Sequence, residues 1–319
     1  LYVKSKAYAF DAPPAELSEA AKALVLRWKD FCTAQGYSLH ADSTGRVFLA
    51  LEAKSTRASG RLARLEKTSA WFDARLPSVH IKDSSGEKPS TAPPADRDAP
   101  LAPGTSRTWS WSSEDLVPDQ DSAVLFVLPD EAQYKLLLEE LARQEPSLSA
   151  WSASARKETG FVVPRPLSAA YIENAAGMEE WDPEHELVNR CAQLLLVQRF
   201  GLQPFWLQQG IGWSAEWGFD ASLYCFPFRK EFIYATEHSA WPNELKKRFE
   251  KSSETRFDFS SFDGYRRGRW DGERARLAFG ATMALLRHPP PKLALALEEL
   301  RRWRDSNNRK STGPNTWER

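Results

Sequence analysis

Two hydrophobic periods alternate along the chain, one near 3.6 residues and one near 2, and together they predict an α+β protein. LYVKSKAYAF at residues 1–10 alternates well enough for a first strand. Glu16 to Gly36 has helical spacing, with Leu17, Ala20, Leu24, Leu26, Trp28 and Phe31 as its apolar points. Val47–Leu51 is a short apolar strand, and a basic helix over Ala58–Phe72 follows it. Val124–Leu128 is the strongest strand signal, closed by Pro129-Asp130 and followed by an amphipathic helix over Glu131–Arg143. Thr159–Val163 and Ala169–Ile172 read as paired strands.

A long helix is expected from Asp182, which suits an N-cap, through Pro183 at its first position, to Gly201, which suits a stop. Leu187, Cys191, Leu194 and Leu195 give it a buried stripe. A further helix starts at Pro204, carrying Phe205, Trp206 and Leu207. Downstream, helices are expected over Asn243–Lys251, Arg274–Leu286 and Leu293–Trp303, with Pro289-Pro290-Pro291 between the last two.

Between about residues 83 and 120 the pattern stops. KPSTAPPADRDAPLAPGTS has almost nothing to bury and reads as a linker or long surface loop. Trp109 and Trp111 at its far end alternate with serine and are expected to dock that end as a short strand. The expected organisation is an N-terminal α/β region (1–82), the Pro-rich segment (83–120), a main domain (121–305) and a polar tail (306–319).

Composition narrows the function classes. Hydrophobic residues make up 42% of the 319, ample for a core, and the formal net charge is zero. No general attraction to nucleic acid follows from that balance. No apolar run approaches the roughly 18 residues of a membrane span. The three cysteines, Cys32, Cys191 and Cys225, show neither CxxC spacing nor an even count, so no structural zinc site or disulfide framework is indicated. A start at Leu1 rather than Met is what a processed or trimmed chain would show. Nucleophile elbows, phosphate loops and EF-hand spacings are absent from the sequence.

The chemistry-bearing stretch is the helix pair. His185-Glu186-Leu187-Val188-Asn189 resembles an HExxH helix whose second histidine is asparagine. Trp206-Leu207-Gln208-Gln209-Gly210 resembles the W-L-x-E-G segment that supplies a third zinc ligand, here with Gln209 in the glutamate's place. On these motifs the chain resembles the gluzincin, or peptidase-MA-like, metallopeptidase superfamily over about residues 120–300. The resemblance implies a zincin-like domain with a small mixed sheet, an HExxH-type helix and a following W-L-x-E-G helix. It also implies export to the periplasm or outside the cell, and a peptide cleft with an edge strand near Ala169–Ile172.

The vestigial zinc positions are then His185, Asn189 and Gln209, and the vestigial general base is Glu186. One imidazole and two neutral amides make a poor zinc shell, since catalytic sites use His and carboxylate donors. The expected function is therefore a catalytically inactive domain that binds peptide or protein in the old cleft, without cofactor. Two alternatives stand beside it. One is an active zinc peptidase in which His238, beside Glu237, or a carboxylate completes the site with His185. The other is a glycan-binding module using Trp206, Trp213 and Trp217, whose spacing equally suits core packing. The plainer readings pair Glu186 with Arg190 on a solvated face, hydrogen-bond Asn189 to Gln209 across the helices, and leave Glu216 as a surface glutamate. His40, His80 and His288 have no spacing that ties them to a site.

Overall fold

The computed structural model describes residues 17–76, 122–175, 182–224, 240–251, 271–287, 293, 294 and 297. Within them the bounded elements are eight α-helices and a five-stranded mixed sheet. Helix α1 (Glu19–Gln35) begins where the Ser18 hydroxyl accepts from Ala21 N and ends at Gly36, whose φ of 72° suits a residue without Cβ. Strands β1 (Tyr37–Ala41) and β2 (Val47–Glu52) form an antiparallel hairpin. Its turn is held by Asp42, which accepts from Thr44 N, Thr44 Oγ1 and Arg46 N. Helix α2 (Ala58–Arg75) follows, and β3 (Ala123–Leu128) pairs parallel to β2. Sequence on both sides of the Pro-rich segment thus builds one sheet.

Asp130 caps α3 (Glu131–Gln144) by accepting from Gln133 N, and the short α4 (Ser149–Ala155) leads to β4 (Gly160–Pro164) and β5 (Leu167–Ile172). The strand order is β1-β2-β3-β5-β4, with β3 parallel to β5 and β4 antiparallel to β5. Every residue of β3 is buried, as expected of a central strand covered on both faces. Among the described residues the edge strand on this side is β4. The segment expected at the edge, Ala169–Ile172, lies in β5 and is paired on both sides. Sequence alone could not separate them, because two adjacent apolar strands carry the same pattern whichever lies outside.

Side-chain alternation divides the core into two layers. Phe48, Ala50, Val124, Phe126 and Ile172 face α1, α3 and α4, with Trp28 and Phe126 edge to face at 4.8 Å. Leu26, expected as an apolar point of α1, is instead 53% exposed. On the other face Leu49, Leu51, Leu125, Val127 and Tyr171 pack against α2 and the helices that follow. Those are α5 (Pro183–Phe200), α6 (Phe205–Asp220), α7 (Trp241–Lys251) and α8 (Gly272–Leu286). Residues 293, 294 and 297 are helical, while the rest of the expected final helix, residues 1–10, Trp109, Trp111, His80, Cys225, Glu237, His238 and His288 lie outside the described residues. No described helix is long and apolar enough to cross a membrane.

Candidate functional site: a polar hub between two antiparallel helices

Helix α5 begins with Asp182, whose side chain accepts from Glu184 N, and Pro183 occupies its first turn. It ends at Gly201, whose φ of 66° and ψ of −169° suit only glycine. Four residues later α6 runs back alongside it as a helical hairpin. Fifteen of the eighteen residues of α5 are buried, so the helix is covered on almost every side. The stripe of Leu187, Cys191, Leu194 and Leu195 belongs to the core as expected. The polar residues of α5 are buried as well, and each must find a partner.

They do so in two rows. His185, Asn189 and Gln193 recur every four residues and so share one face, which meets Gln209, Gly212 and Glu216 of α6 in antiparallel order. Glu216 Oε2 lies 3.3 Å from His185 Nδ1, and Glu216 Oε1 accepts from Asn189 Nδ2 at 2.6 Å. Gln193 Nε2 donates to Asn189 Oδ1 at 2.6 Å and reaches Gln209 Oε1 at 3.4 Å. Backbone N–H of Tyr224 donates to Glu216 Oε2 at 2.8 Å, and the Tyr224 ring lies 4.6 Å from that of His185. Gly212 makes the fit possible: a Cβ there would stand 2.6–2.8 Å from the Asn189 carboxamide atoms.

The carboxylate gives this row its polarity. An ionised carboxylate only accepts, so Asn189 must present its NH2 to Glu216 and its carbonyl to Gln193. Gln193 must then present NH2, which reaches the Gln209 carbonyl. One buried charge orients three amides in sequence, an arrangement in which each hydrogen bond polarises the next.

Three expectations are corrected here. Glu216 is not a surface glutamate: it is fully buried and is the centre of the site. Its position seven residues beyond Gln209 was the available signal, since two helical turns return to the same face. Asn189 and Gln209 are bridged by Gln193, which holds both carbonyl oxygens. Glu186 does accept from Arg190 Nε at 2.9 Å, but both side chains are buried rather than on a solvated face. Arg190 Nε approaches β4 closely enough that a Cβ on Gly160 would meet it at 2.9 Å.

The outer end of the hub is charged. His185 Nε2 lies 3.8 Å from Asp220 Oδ2, and Asp220 pairs closely with Arg64 of α2. Arg64 Nε also donates to Glu184 O at 3.2 Å, while buried Arg61 pairs with Glu173 and with Glu184 at 3.2 Å. Burial, the largest single influence, opposes the imidazolium of His185. The hydrogen bond and charge of Glu216, with the charges of Asp220 and Asp182, outweigh it and hold the His185 pKa above its ordinary value. A pKa raised on folding contributes stability that is fully present below the unfolded value, about 6.5, and is lost as pH climbs through the folded one. The urea midpoint is therefore expected to fall as pH rises from about 6.5, and to fall less in His185→Gln, which bonds without titrating. Parallel slopes for the two proteins would sink this assignment.

The tryptophans expected for sugar stacking make core contacts. Trp213 is fully buried and meets Trp241 edge to face at 5.5 Å, Trp206 is buried, and Trp217 packs at 6.2 Å from Phe279. Sugar stacking needs an open ring face, which Trp213 does not offer. Burial pushes the Cys32 and Cys191 thiols up to about 12, so both stay protonated and unreactive.

The hub does not suit zinc. Its three ligand positions carry one imidazole and two amides, Gln193 already occupies both amide oxygens, and the imidazole is engaged by Glu216. Among the described residues no group of three or more His, Cys, Asp or Glu side chains has a metal-binding arrangement. No protein-family model matches this chain, and no curated protein or solved structure matches it.

Proposed function

We propose that this is a zincin-like domain of the gluzincin kind in which a hydrogen-bonded hub stands where a metal centre would be, and that it binds peptide or protein without hydrolysing it. The observation that carries this reading is the meeting of His185, Asn189 and Gln209 on one helical hairpin, with His185 Nδ1 and the carbonyl oxygens of Asn189 and Gln209 already engaged. A mixed sheet beside that hairpin also supports it, because β4 is an edge strand packed against α5. Ile172 N donates to Thr159 O, so by antiparallel alternation Gly160 and Val162 turn their main-chain groups outward. An extended peptide would pair with that outer edge by strand addition.

The test is the zinc content of protein purified without chelator, with hydrolysis and binding of an extended-peptide library measured on the same sample. Metal-free protein that binds peptides and leaves them intact is the expected result. One zinc per chain with peptide cleavage would overturn the reading and return His185 and Glu186 to catalytic roles.

A further inference from the structure

We infer that Glu216 is the carboxylate of this site and that the chain lacks a three-donor metal centre by one residue, Asn189. The inference deepens the reading above and rests on it for the choice of zinc. Catalytic zinc is commonly held by two imidazoles and a carboxylate. Here, among the described residues, the carboxylate nearest the first imidazole is Glu216, 3.3 Å from His185 Nδ1, and it also lies 2.6 Å from the side chain one helical turn on, Asn189. Gln209, the position the sequence motif designates, meets this row through Gln193. A carboxylate placed at 209 would face the amide of Gln193, whereas Glu216 already faces both α5 positions from full burial. The geometry thus assigns the third donor to a residue seven positions beyond the motif. The two-residue mismatch read from the sequence becomes a mismatch of one.

Glu216 is also fixed in place independently of Asn189. Tyr224 N donates to Oε2 at 2.8 Å, so the carboxylate keeps a backbone partner when Asn189 is replaced. An imidazole introduced at 189 would then meet an anion already held beside His185, and a cation between the two rings would be neutralised at little reorganisation cost.

Zinc stoichiometry by elemental analysis, and affinity by chelator competition, are measured on the full chain and on Asn189→His, Asn189→His/Glu216→Gln and Asn189→His/Gln209→Glu. The expected result is a metal-free parent and one zinc per chain in Asn189→His. Adding Glu216→Gln should weaken binding by at least about 100-fold, the upper range for losing even an outer-shell partner. Adding Gln209→Glu should leave affinity unchanged. Where circular dichroism shows that the imidazole does not fit against Gly212, Asn189→Cys offers a thiolate from a smaller side chain. Cobalt(II) then reports the site by a thiolate charge-transfer band, which Glu216→Gln should abolish. A folded Asn189→His or Asn189→Cys protein that takes no metal, or one whose binding ignores Glu216→Gln, overturns this inference alone. Zinc held by the parent overturns it together with the proposed function.

Discussion

Glu216→Ala is expected to lower the free energy of unfolding by about 3–5 kcal/mol, the range for breaking a buried charged pair by removing one partner. The cost does not come from the volume of the side chain. It comes from the groups left behind, among them Asn189 Nδ2, Tyr224 N and the His185 ring, all of which now bond to the carboxylate inside the protein. A buried donor without an acceptor forfeits the hydration it had in the unfolded chain, which is why truncation costs more than the bond itself contributes. His185 suffers most, because the protonated ring would lose its hydrogen-bonded anion and keep the more distant charges of Asp220, at 3.8 Å, and Asp182. Glu216→Gln keeps one carbonyl acceptor and should cost less than Glu216→Ala. Asn189→Ala on the Glu216→Ala background should cost much less than on the parent, since the pair shares one hydrogen bond. Residues in one network give coupling energies of about 0.5–3 kcal/mol in such cycles. Urea unfolding of the four proteins at one pH measures it, and a loss below about 1 kcal/mol for Glu216→Ala would show that the hub does not hold the hairpin.

The helices and strands that proved legible were those with caps and long apolar runs. Asp182 and Gly201 mark helix ends by chemistry local to the chain, and the structure uses both in those roles. The strands that pair across the middle of the sheet read as apolar because both their faces are covered. What escaped was short or mixed. The β1 segment YSLHA follows α1 with only Gly36 between them, and its alternation is too brief to register. The α4 segment SAWSASA has a single large apolar residue, Trp151.

The site was half legible for a deeper reason. A polar residue on a helix is read as solvated by default, because most helices keep one face in water. Helix α5 keeps almost none, so His185, Glu186, Asn189, Arg190 and Gln193 are interior residues that satisfy one another or their neighbours. The motif pointed to the helix pair that carries the hub and, on α5, to His185 and Asn189. It pointed to Gln209 on α6 because motifs count along the chain, whereas partners are set by the register of two helices. Gln193 and Glu216 become visible only when rows of four are laid antiparallel.

That register depends on close approach, and Gly210→Ala is expected to disturb it at a cost of about 3 kcal/mol, at the upper end of typical overpacking losses. A Cβ at 210 would stand 2.0 Å from Thr282 Oγ1, 2.8 Å from Thr282 Cβ and 3.0 Å from the backbone oxygen of Ala278. Rotating Thr282 about χ1 moves its hydroxyl and methyl but not its Cβ. Its Cβ and the Ala278 carbonyl are fixed by α8, so α6 and α8 must separate, loosening the contact of Trp217 with Phe279. The intrinsic preference of a helix for alanine over glycine, about 1 kcal/mol, works the other way and is outweighed. Gly60→Ala isolates that preference. Gly60 is exposed on α2 and a Cβ there would meet nothing within 4 Å, so this variant should be as stable as the parent or slightly more so. For a domain of this size the Gly210 loss corresponds to a melting temperature lower by about 6–12 °C. Thr282→Ala on that background should recover only part of it, because the Cβ and the carbonyl remain. Full recovery would place the clash on the hydroxyl alone, and equal melting of the two glycine variants would mean that α6 and α8 are not in close contact at Gly210.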